Sequence, residues 1–594
     1  MEFLGVDTQR IIELQDDDIR RAQSVRLSCT DASKIIQQHG LGASFHLPSL
    51  FTNLSSILQL EIGDTEDDPS LWTNKLIESS LQCVETYILR ELKYRAHIAV
   101  PGSYTLLGVS DEWGCLKEGE IYATVFNERT GSVQSITGKV AITRSPQIHP
   151  GDLQVVRAVK RPELEHLKNV VVFSCKGDRA LASCLGGGDL DGDVFNLILD
   201  PRLLPTKHFE PGEYPAVTVR SSPNACGISD VADFVIDYIQ ADLIGPIAIS
   251  HLRFSDLKTP DCTECNQLAK FASQALDFPK SGTPVDFKSL PWLPRTQARP
   301  DFLAKEGAGI TSGQYYESTK LLGQLFRRVP MKRGIPTAWN GNFSPSDGAT
   351  VEATLSYVDL SHLGLPGLTD PSEELMEEMT YLLNAYCEQL LIIGQAHTMS
   401  KNKNIHVSEA ELVSGTIMAT WSDHQRRRNA VSAMNLQTQE LVRRVREELQ
   451  GEDPRTLETE THKEDDLKTS ETETHEEDPR TPETETDEDE DEVPGTPETE
   501  TETVEDEDEN ENEILGTPET ETDEEEDYED WAFREQCEES EQRMMAETVK
   551  RCWAAWCVTE DNLKEDPSMF GAQSFGLIAL GMILEIVKAS RLMM

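Results

Sequence analysis

The sequence lacks a disulfide framework, a secretory signal and an apolar run of membrane-spanning length. Its 12 cysteines are scattered over 594 residues, with one CxxC at Cys262 and Cys265. This usage suits a reducing compartment and excludes a disulfide-stapled secreted domain. Glu2 and Asp7 stand where a signal peptide carries basic residues. The longest apolar stretch, near 575–587, is shorter than the roughly 20 residues of a membrane helix, so we expect no membrane partner.

Basic residues are also scarce, since 54 Lys and Arg face 106 Asp and Glu for a net charge of -52. Such a balance at first argues against a nucleic-acid partner. However, residues 451–530 alone hold 39 acidic and 4 basic side chains. The remainder is only mildly acidic, so composition excludes neither an enzyme nor a nucleic-acid partner. The arginine groups at 426–428 and 443–444 fit a phosphate contact and a polar helix face equally well.

Hydrophobic periodicity and charge divide the chain into five regions. The regions are, in order, a helical segment at 1–97, a β-barrel at 98–205, a mainly helical domain at 206–450, a disordered acidic repeat segment at 451–530 and a C-terminal helical segment at 531–594. The clearest helical patterns lie at 70–95, 231–247 and 373–393. Six β-rich runs broken by glycine predict the barrel strands: 104–109, 120–126, 138–143, 155–159, 170–173 and 194–199.

The acidic segment repeats a short theme, with Thr-Pro-Glu-Thr-Glu-Thr beginning at 481, 496 and 517. Its few apolar side chains cannot offset an ordering cost of roughly 1 to 2 kcal/mol per residue. We therefore predict disorder, inserted between two parts of one helical domain. Two roles stay open for it: a solvated linker, or a tail that binds basic proteins such as histones.

Three carboxylates crowd one short loop, Asp189, Asp191 and Asp193, between the glycines at 186–188 and an apolar strand. Like charges this close repel unless a cation offsets them. In a strand the outer two would stand about 13 Å apart, and a helix would splay them as well, but Gly192 permits a tight turn. Because Mg²⁺ binds carboxylates and substrate phosphates together, the loop predicts phosphoryl or nucleotidyl transfer with Mg²⁺ as cofactor.

Three other interpretations fit this loop less well. An EF-hand needs Gly at loop position 6 and Glu at position 12, where this chain has Val194 and Asp200. A phosphate-binding P-loop needs a following GK[ST], which is missing here. A solvated acidic turn stays as the plain alternative, although the flanking glycines and strand disfavour it.

The Asp-Leu-Asp-Gly-Asp at 189–193 resembles the hallmark of the cellular, fungal-like RNA-dependent RNA polymerases of RNA silencing. In that family the loop lies in a double-psi β-barrel similar to one in multisubunit RNA polymerases. The resemblance covers about residues 1–450 and the last 60. Its ordered matches include 107–111, 114–120, 138–144, 149–152, 171–179, 237–239, 251–252, 277–282 and 300–302.

The resemblance implies an α+β fold, with a double-psi β-barrel catalytic domain flanked by helical domains. It implies synthesis of double-stranded RNA from single-stranded RNA templates and ribonucleoside triphosphates, in a pathway with Dicer and Argonaute proteins, in the nucleus, the cytoplasm or both. Asp189, Asp191 and Asp193 match the catalytic, metal-binding triad. Four cations are candidates for contact with nucleotide or RNA phosphates: Lys139, Arg144, Lys176 and Arg179.

Departures from the family pattern are mild inside the barrel, at Ser145, Ser174 and Ala180. A larger one is the absence of a first barrel, whose lysines in the family face the nucleotide. We expect that one barrel alone does not polymerise RNA. The chain is then a fragment, a protein whose missing barrel comes from a second chain, or a catalytically inactive interaction protein that uses its acidic segment.

Overall fold

The structure is a computed structural model. It describes residues 1–62, 71–72, 74–127, 131–214, 219, 221, 225–240, 242–306, 313–331, 355, 360–365, 367–399, 406–419, 424–451 and 523–592. The predicted disorder at 451–530 falls mostly on residues 452–522, which lie outside the described ones.

Helices form most of the described chain outside the barrel. They are α1 Thr8–Ser24, α2 Cys29–Gln38, α3 Leu47–Asn53, α4 Lys75–Arg95, α5 Ile228–Gln240, α6 Ile244–Leu257, α7 Thr263–Leu276, α8 Phe278–Ser281, α9 Leu321–Arg328, α10 Glu373–Ala396, α11 Glu409–Ser414, α12 His424–Gln450, α13 Asp523–Glu565 and α14 Ala572–Leu592. Several of them begin after a residue whose side chain caps the helix. Asn74, for example, accepts a hydrogen bond from the Ile77 amide at 2.9 Å at the start of α4.

Strands are concentrated between α4 and α5. They are β1 Glu61–Ile62, β2 Leu71–Trp72, β3 Tyr104–Ser110, β4 Glu120–Asn127, β5 Ser132–Ser135, β6 Gly138–Arg144, β7 Leu153–Ala158, β8 Val170–Phe173, β9 Val194–Ile198, β10 Arg299–Pro300 and β11 Tyr315–Tyr316.

Six of these strands close into a barrel in the order β4-β7-β6-β9-β3-β8, with β8 pairing back to β4. Two of its pairs, β3 with β8 and β4 with β7, are parallel. Exchanging the first three barrel strands in sequence (β3, β4, β6) with the last three (β7, β8, β9) leaves this ring order unchanged. Such a pseudo-twofold symmetry is the arrangement of a double-psi barrel. The predicted α+β fold with this barrel is therefore confirmed, and all six predicted strands are present.

Buried and exposed side chains alternate along the strands, and the buried ones fill the barrel interior. In β9, Phe195 and Leu197 are fully buried, while Val194 is 48% exposed, as expected for a strand with one face on a core. Phe195 packs edge-on against Phe173 of β8, with ring centroids 4.6 Å apart. This packing fixes the start of β9, and thus the loop that carries the three aspartates.

Most of the helices share a second, larger core. It combines residues of α2, α3 and α4 with residues of α10 to α14, so segments on both sides of residues 452–522 contribute to one apolar interior. The division of the chain into five regions stays a prediction, because a shared core alone does not set domain boundaries.

Three predicted elements differ in detail from the observed ones. Helix α4 begins at Lys75, behind the Asn74 cap, whereas the periodicity placed it from 70. The pattern at 231–247 is divided between two helices, α5 and α6, because the apolar spacing continues across residues 242 and 243, which are not helical. The C-terminal helix α13 begins at Asp523, before the predicted start at 531.

Helix α14 is longer than its apolar stretch indicated. By length and composition, Ala572–Arg591 is long and apolar enough to cross a membrane, but 78% of that apolar window is buried inside the structure. Leu580, Leu584 and Val587 are fully buried in the helical core. This burial is what a core helix shows.

Candidate functional site

The three aspartates lie in the connection from β8 to β9, at the mouth of the barrel. Left-handed backbone at Gly186, Gly187 and Gly192 (φ +70°, +77° and +123°) bends the loop, a conformation that glycine adopts without steric cost. Leu190 also has a positive φ, +62°, which is uncommon for a leucine. The turns bring one carboxylate oxygen of each aspartate within 4.8 Å of the others.

Two other glycines leave room for this loop. A Cβ on Gly108 of β3 would lie 2.8 Å from the Leu190 side chain and 2.3 Å from the Phe195 ring. The Gly108 amide also donates to the Asp193 carbonyl at 2.9 Å. A Cβ on Gly188 would lie 2.9 Å from the Ala182 carbonyl oxygen. Larger residues at these positions would therefore push the loop off the barrel.

Asp193 is held from within the barrel. Arg144, the last residue of β6, donates from Nε to Asp193 Oδ1 at 2.6 Å and from a terminal nitrogen to the Gly186 carbonyl at 3.2 Å. The Asp189 amide donates to Asp193 Oδ2 at 3.0 Å. Because the Asp193 and Arg144 side chains are only 8% and 20% exposed, this pair ties the loop firmly to the strand.

Asp189 and Asp191 point outward to a lysine from a distant segment. The Lys280 Nζ donates to Asp189 Oδ2 at 2.7 Å and to Asp191 Oδ2 at 2.6 Å. Its ammonium holds the pKa of Asp189 below its usual value, and the two carboxylates raise the pKa of Lys280. Nearby, burial raises the pKa of Asp277. The outer half of the triad is thus paired with a cation and open to solvent.

The donor set suits a hard divalent cation, since it consists of carboxylate oxygens only. The loop gathers all three, and two of them face solvent. Within the described part of the chain, this is the only group of three or more Asp, Glu, His or Cys side chains that close together. The triad is therefore the candidate metal centre.

Of the four predicted cations, Arg144 alone has a described contact with the triad. Lys176 donates to the Gly114 carbonyl at 2.6 Å, and Arg179 donates to the Ser183 hydroxyl at 2.9 Å and carbonyl at 2.7 Å. Lys139 is exposed near the start of β6, opposite Arg157 of β7. Their roles as phosphate contacts stay predictions.

Sequence reasoning did not single out Lys280 as a site residue. The segment 277–282 belonged to the resemblance, but the lysine lies 91 positions after Asp189. No spacing rule joins two such segments. Its one available signal was a lone basic residue between Pro279 and Gly282, which on its own does not indicate a partner.

A second feature that the sequence did not reveal lies beside the glycine run. A cavity of about 280 Å³ is lined by Tyr214 and by polar side chains of α7, among them Lys270 and Ser273. Buried Asp152 accepts a hydrogen bond from the Tyr214 hydroxyl at 2.7 Å. Burial raises the pKa of both groups. A Cβ on Gly187 would lie 3.6 Å from Tyr214 and 3.7 Å from Ser273, so the cavity adjoins the triad loop.

The chain is similar in sequence to several curated RNA-dependent RNA polymerases. The chain is 29% identical over 364 residues to "Probable RNA-dependent RNA polymerase SHL2" of Oryza sativa subsp. japonica, covering 58% of this chain and 28% of that protein. It is 31% identical over 296 residues to "RNA-dependent RNA polymerase 1" of Schizosaccharomyces pombe, covering 44% and 23%. The chain therefore spans about a third or less of the length of these curated relatives.

A solved structure, "RNA dependent RNA polymerase QDE-1 from Thielavia terrestris", superposes with a TM-score of 0.40 at 17% identity, over 76% of this chain and 49% of that one. The match to the family itself covers more than half of the chain, since the sequence pattern described as "RNA dependent RNA polymerase" fits residues 1–329 of the 594. That stretch contains the whole barrel, the triad and Lys280. The chain belongs to the RNA-dependent RNA polymerase family.

Proposed function

We propose that this chain carries the metal-binding half of an RNA-directed RNA polymerase, a nucleotidyltransferase that copies single-stranded RNA into double-stranded RNA. One observation carries the proposal: three carboxylates of a family member converge within 4.8 Å at the mouth of a closed barrel. Bringing three carboxylates together costs electrostatic energy, and a bound cation offsets that cost.

The cation proposed is Mg²⁺, which would be held by Asp189, Asp191 and Asp193 and would activate the 3′-hydroxyl and neutralise the phosphates of an incoming nucleotide. The chain's own part is to position charge. Arg144 fixes Asp193 and the loop backbone, so the triad is arranged before substrate arrives, which is the main source of catalysis in phosphoryl transfer.

The proposed substrates are a single-stranded RNA template and ribonucleoside triphosphates. A second barrel, supplied by residues outside this sequence or by a partner chain, would face the triad across the substrate-binding cleft. Dicer and Argonaute proteins are the proposed pathway partners, in the nucleus, the cytoplasm or both. These proposals rest on family membership. They are not findings about this chain, because it spans only part of the length of its relatives.

The test has two readouts on the full chain. We expect Asp191→Asn to weaken Mn²⁺ or Mg²⁺ binding at least about tenfold by calorimetry, because it removes a ligand charge from an open site. In a primed and an unprimed assay on single-stranded RNA, with a chain supplying the partner barrel, the same variant should abolish synthesis. Asp178→Asn, an exposed aspartate of the same connection, is the matched control. Equal metal binding and synthesis by the two variants would contradict the assignment.

A second candidate is a non-catalytic interaction protein. The segment 451–530, with 39 acidic and 4 basic side chains, favours it, because a dense negative segment attracts basic proteins. Capture of histones by the parent chain, lost on removal of this segment, together with parent-like behaviour of Asp191→Asn, would favour this candidate over the polymerase.

A further inference from the structure

The two halves of the triad are neutralised in different ways. Arg144 meets Asp193 inside the barrel, where their side chains are 20% and 8% exposed. Lys280 meets Asp189 and Asp191 in solvent, where the lysine is 56% exposed and the aspartates 52% and 54%. Exposed ion pairs are weak and readily exchanged, whereas removing one partner of a buried pair leaves a costly unpaired charge. Only the outer half can therefore release its cation easily.

The Lys280 ammonium uses the oxygens that a metal would use. Its Nζ lies 2.7 Å from Asp189 Oδ2 and 2.6 Å from Asp191 Oδ2. A divalent ion bound to those two oxygens, with typical ligand distances of about 2.0 to 2.1 Å, would stand next to the ammonium. Two cations cannot share this position, because their charges repel at such short range. The two cations therefore compete for these oxygens.

The backbone that carries Lys280 is fixed. Phe278, two residues earlier, is 3% exposed, and its ring stacks on Phe234 and Tyr238 of α5 with centroids 5.6 and 6.1 Å away. Gly282 ends the short helix α8 in a left-handed conformation, φ +66°. The lysine stem is thus tethered beside the triad even when its ammonium is free, since the helix that bears it stays in place.

We propose that Lys280 is a built-in counter-ion, which holds Asp189 and Asp191 together while no metal is bound and competes with the divalent cation for them. The inference rests on the proposed metal site and adds the residue that regulates its occupancy. In the metal-free chain the ammonium offsets the repulsion between the two carboxylates. Metal binding then exchanges one cation for another at a preformed pair.

The test is a Mn²⁺ titration of the full chain, followed by calorimetry and by the electron paramagnetic resonance of free Mn²⁺. We expect Lys280→Met to tighten Mn²⁺ binding by about three- to tenfold, the size expected when a competitor held by two exposed ion pairs is removed. Lys280→Arg keeps the competing charge and should bind Mn²⁺ like the parent. Lys160→Met, an exposed lysine shortly after β7, is the matched control and should also match the parent.

Unchanged or weaker Mn²⁺ binding by Lys280→Met would overturn the inference, and so would equal tightening by Lys280→Arg. Both results would leave the metal site itself intact, provided that Asp191→Asn still weakens binding. If the parent, Lys280→Met and Asp191→Asn all fail to bind Mn²⁺, the proposed metal site fails, and the competition fails with it. Circular dichroism of each variant shows whether the fold is retained.

Discussion

At the scale of single residues, the cations around the triad differ in how far sequence predicts them. Arg144 was named as a candidate, and strand pairing brings it close, because it is in register with Phe195, two residues after Asp193. Lys280 needed the folded chain, since α7 and α8 return the segment after 277 to the barrel mouth. Lys139, Lys176 and Arg179 have no described contact with the triad, and their roles as phosphate contacts stay predictions.

Buried carboxyl groups form a second residue-scale feature. Burial raises the pKa of Asp18, Asp152 and Glu409. Glu409 accepts hydrogen bonds from the Gly571 and Ser574 amides at 3.1 and 2.7 Å, next to the start of α14. A carboxyl whose pKa is raised by folding binds its proton more tightly in the folded state. The free energy of unfolding therefore rises as pH falls toward the pKa of the unfolded group.

Glu409→Gln tests this linkage. As pH falls from 7 toward 4.5, the ordinary pKa of the group, the parent should gain stability that the variant does not gain, because glutamine has no proton to take up. Urea unfolding at several pH values measures the two slopes. The variant is expected to be less stable throughout, since its amide group cannot accept both backbone hydrogen bonds, so the slopes carry the test. Parallel curves would contradict the prediction.

At the scale of elements, a buried charge cluster joins three parts of the helical core. Glu306 is 4% exposed and lies 2.5 Å from Arg90 of α4 and 2.5 Å from Arg427 of α12. Arg90 also donates to the carbonyls of Ile417 and Met418 at 3.1 and 2.7 Å. Every charge here is partnered, so the cluster fixes how α4 and α12 meet.

Glu306→Gln should destabilise the chain by about 3 to 5 kcal/mol, because it leaves two arginines in the interior without a countercharge. Chemical unfolding in urea gives the free energy. Glu547→Gln removes one partner of an exposed pair with Lys550, at 3.3 Å on α13, and should cost less than about 1 kcal/mol. Similar losses in the two variants would show that burial of the cluster does not matter.

The arginine groups on α12 illustrate an alternative that sequence left open. Arg427 points into the buried cluster. Arg443 and Arg444 both pair with Glu440, and their hydrogen bonds lower the pKa of Glu440 to about 2. Arg443 also pairs with Glu447 on the next turn. These contacts favour a polar helix face over a free phosphate-binding surface, a distinction that depends on which glutamates lie one turn away.

At the scale of the whole molecule, the helical core joins segments far apart in sequence. Thr548 of α13 donates to the Gln450 carbonyl at 3.3 Å, and Arg551 donates to the Glu448 carbonyl at 3.0 Å. The end of α12 therefore lies against α13, on the two sides of residues 452–522. The core residues of α13 and α14, such as Trp556 and Phe575, complete an interior that the first 451 residues begin.

Replacing residues 452–539 with about 10 Gly and Ser residues should leave the melting temperature unchanged. Residue 540 lies about 12 Å along α13 from Thr548, and such a linker spans roughly 17 Å. A chain ending after Gly451 should lose its cooperative transition, because it exposes the apolar faces of α10 and α12. Scanning calorimetry measures both chains. A large drop in melting temperature for the linker variant would mean that the replaced segment stabilises the fold, and the same variant serves the histone-capture test.

The sequence by itself determined the six barrel strands, the amphipathic helices and the identity of the triad, because alternation, periodicity and glycine placement act over a few residues and need no partner. Only the tertiary structure decided which cations meet those carboxylates and that α14 is a core helix. Those outcomes depend on contacts between segments tens or hundreds of residues apart. Charge pairing and burial are properties of such contacts, and local patterns do not contain them.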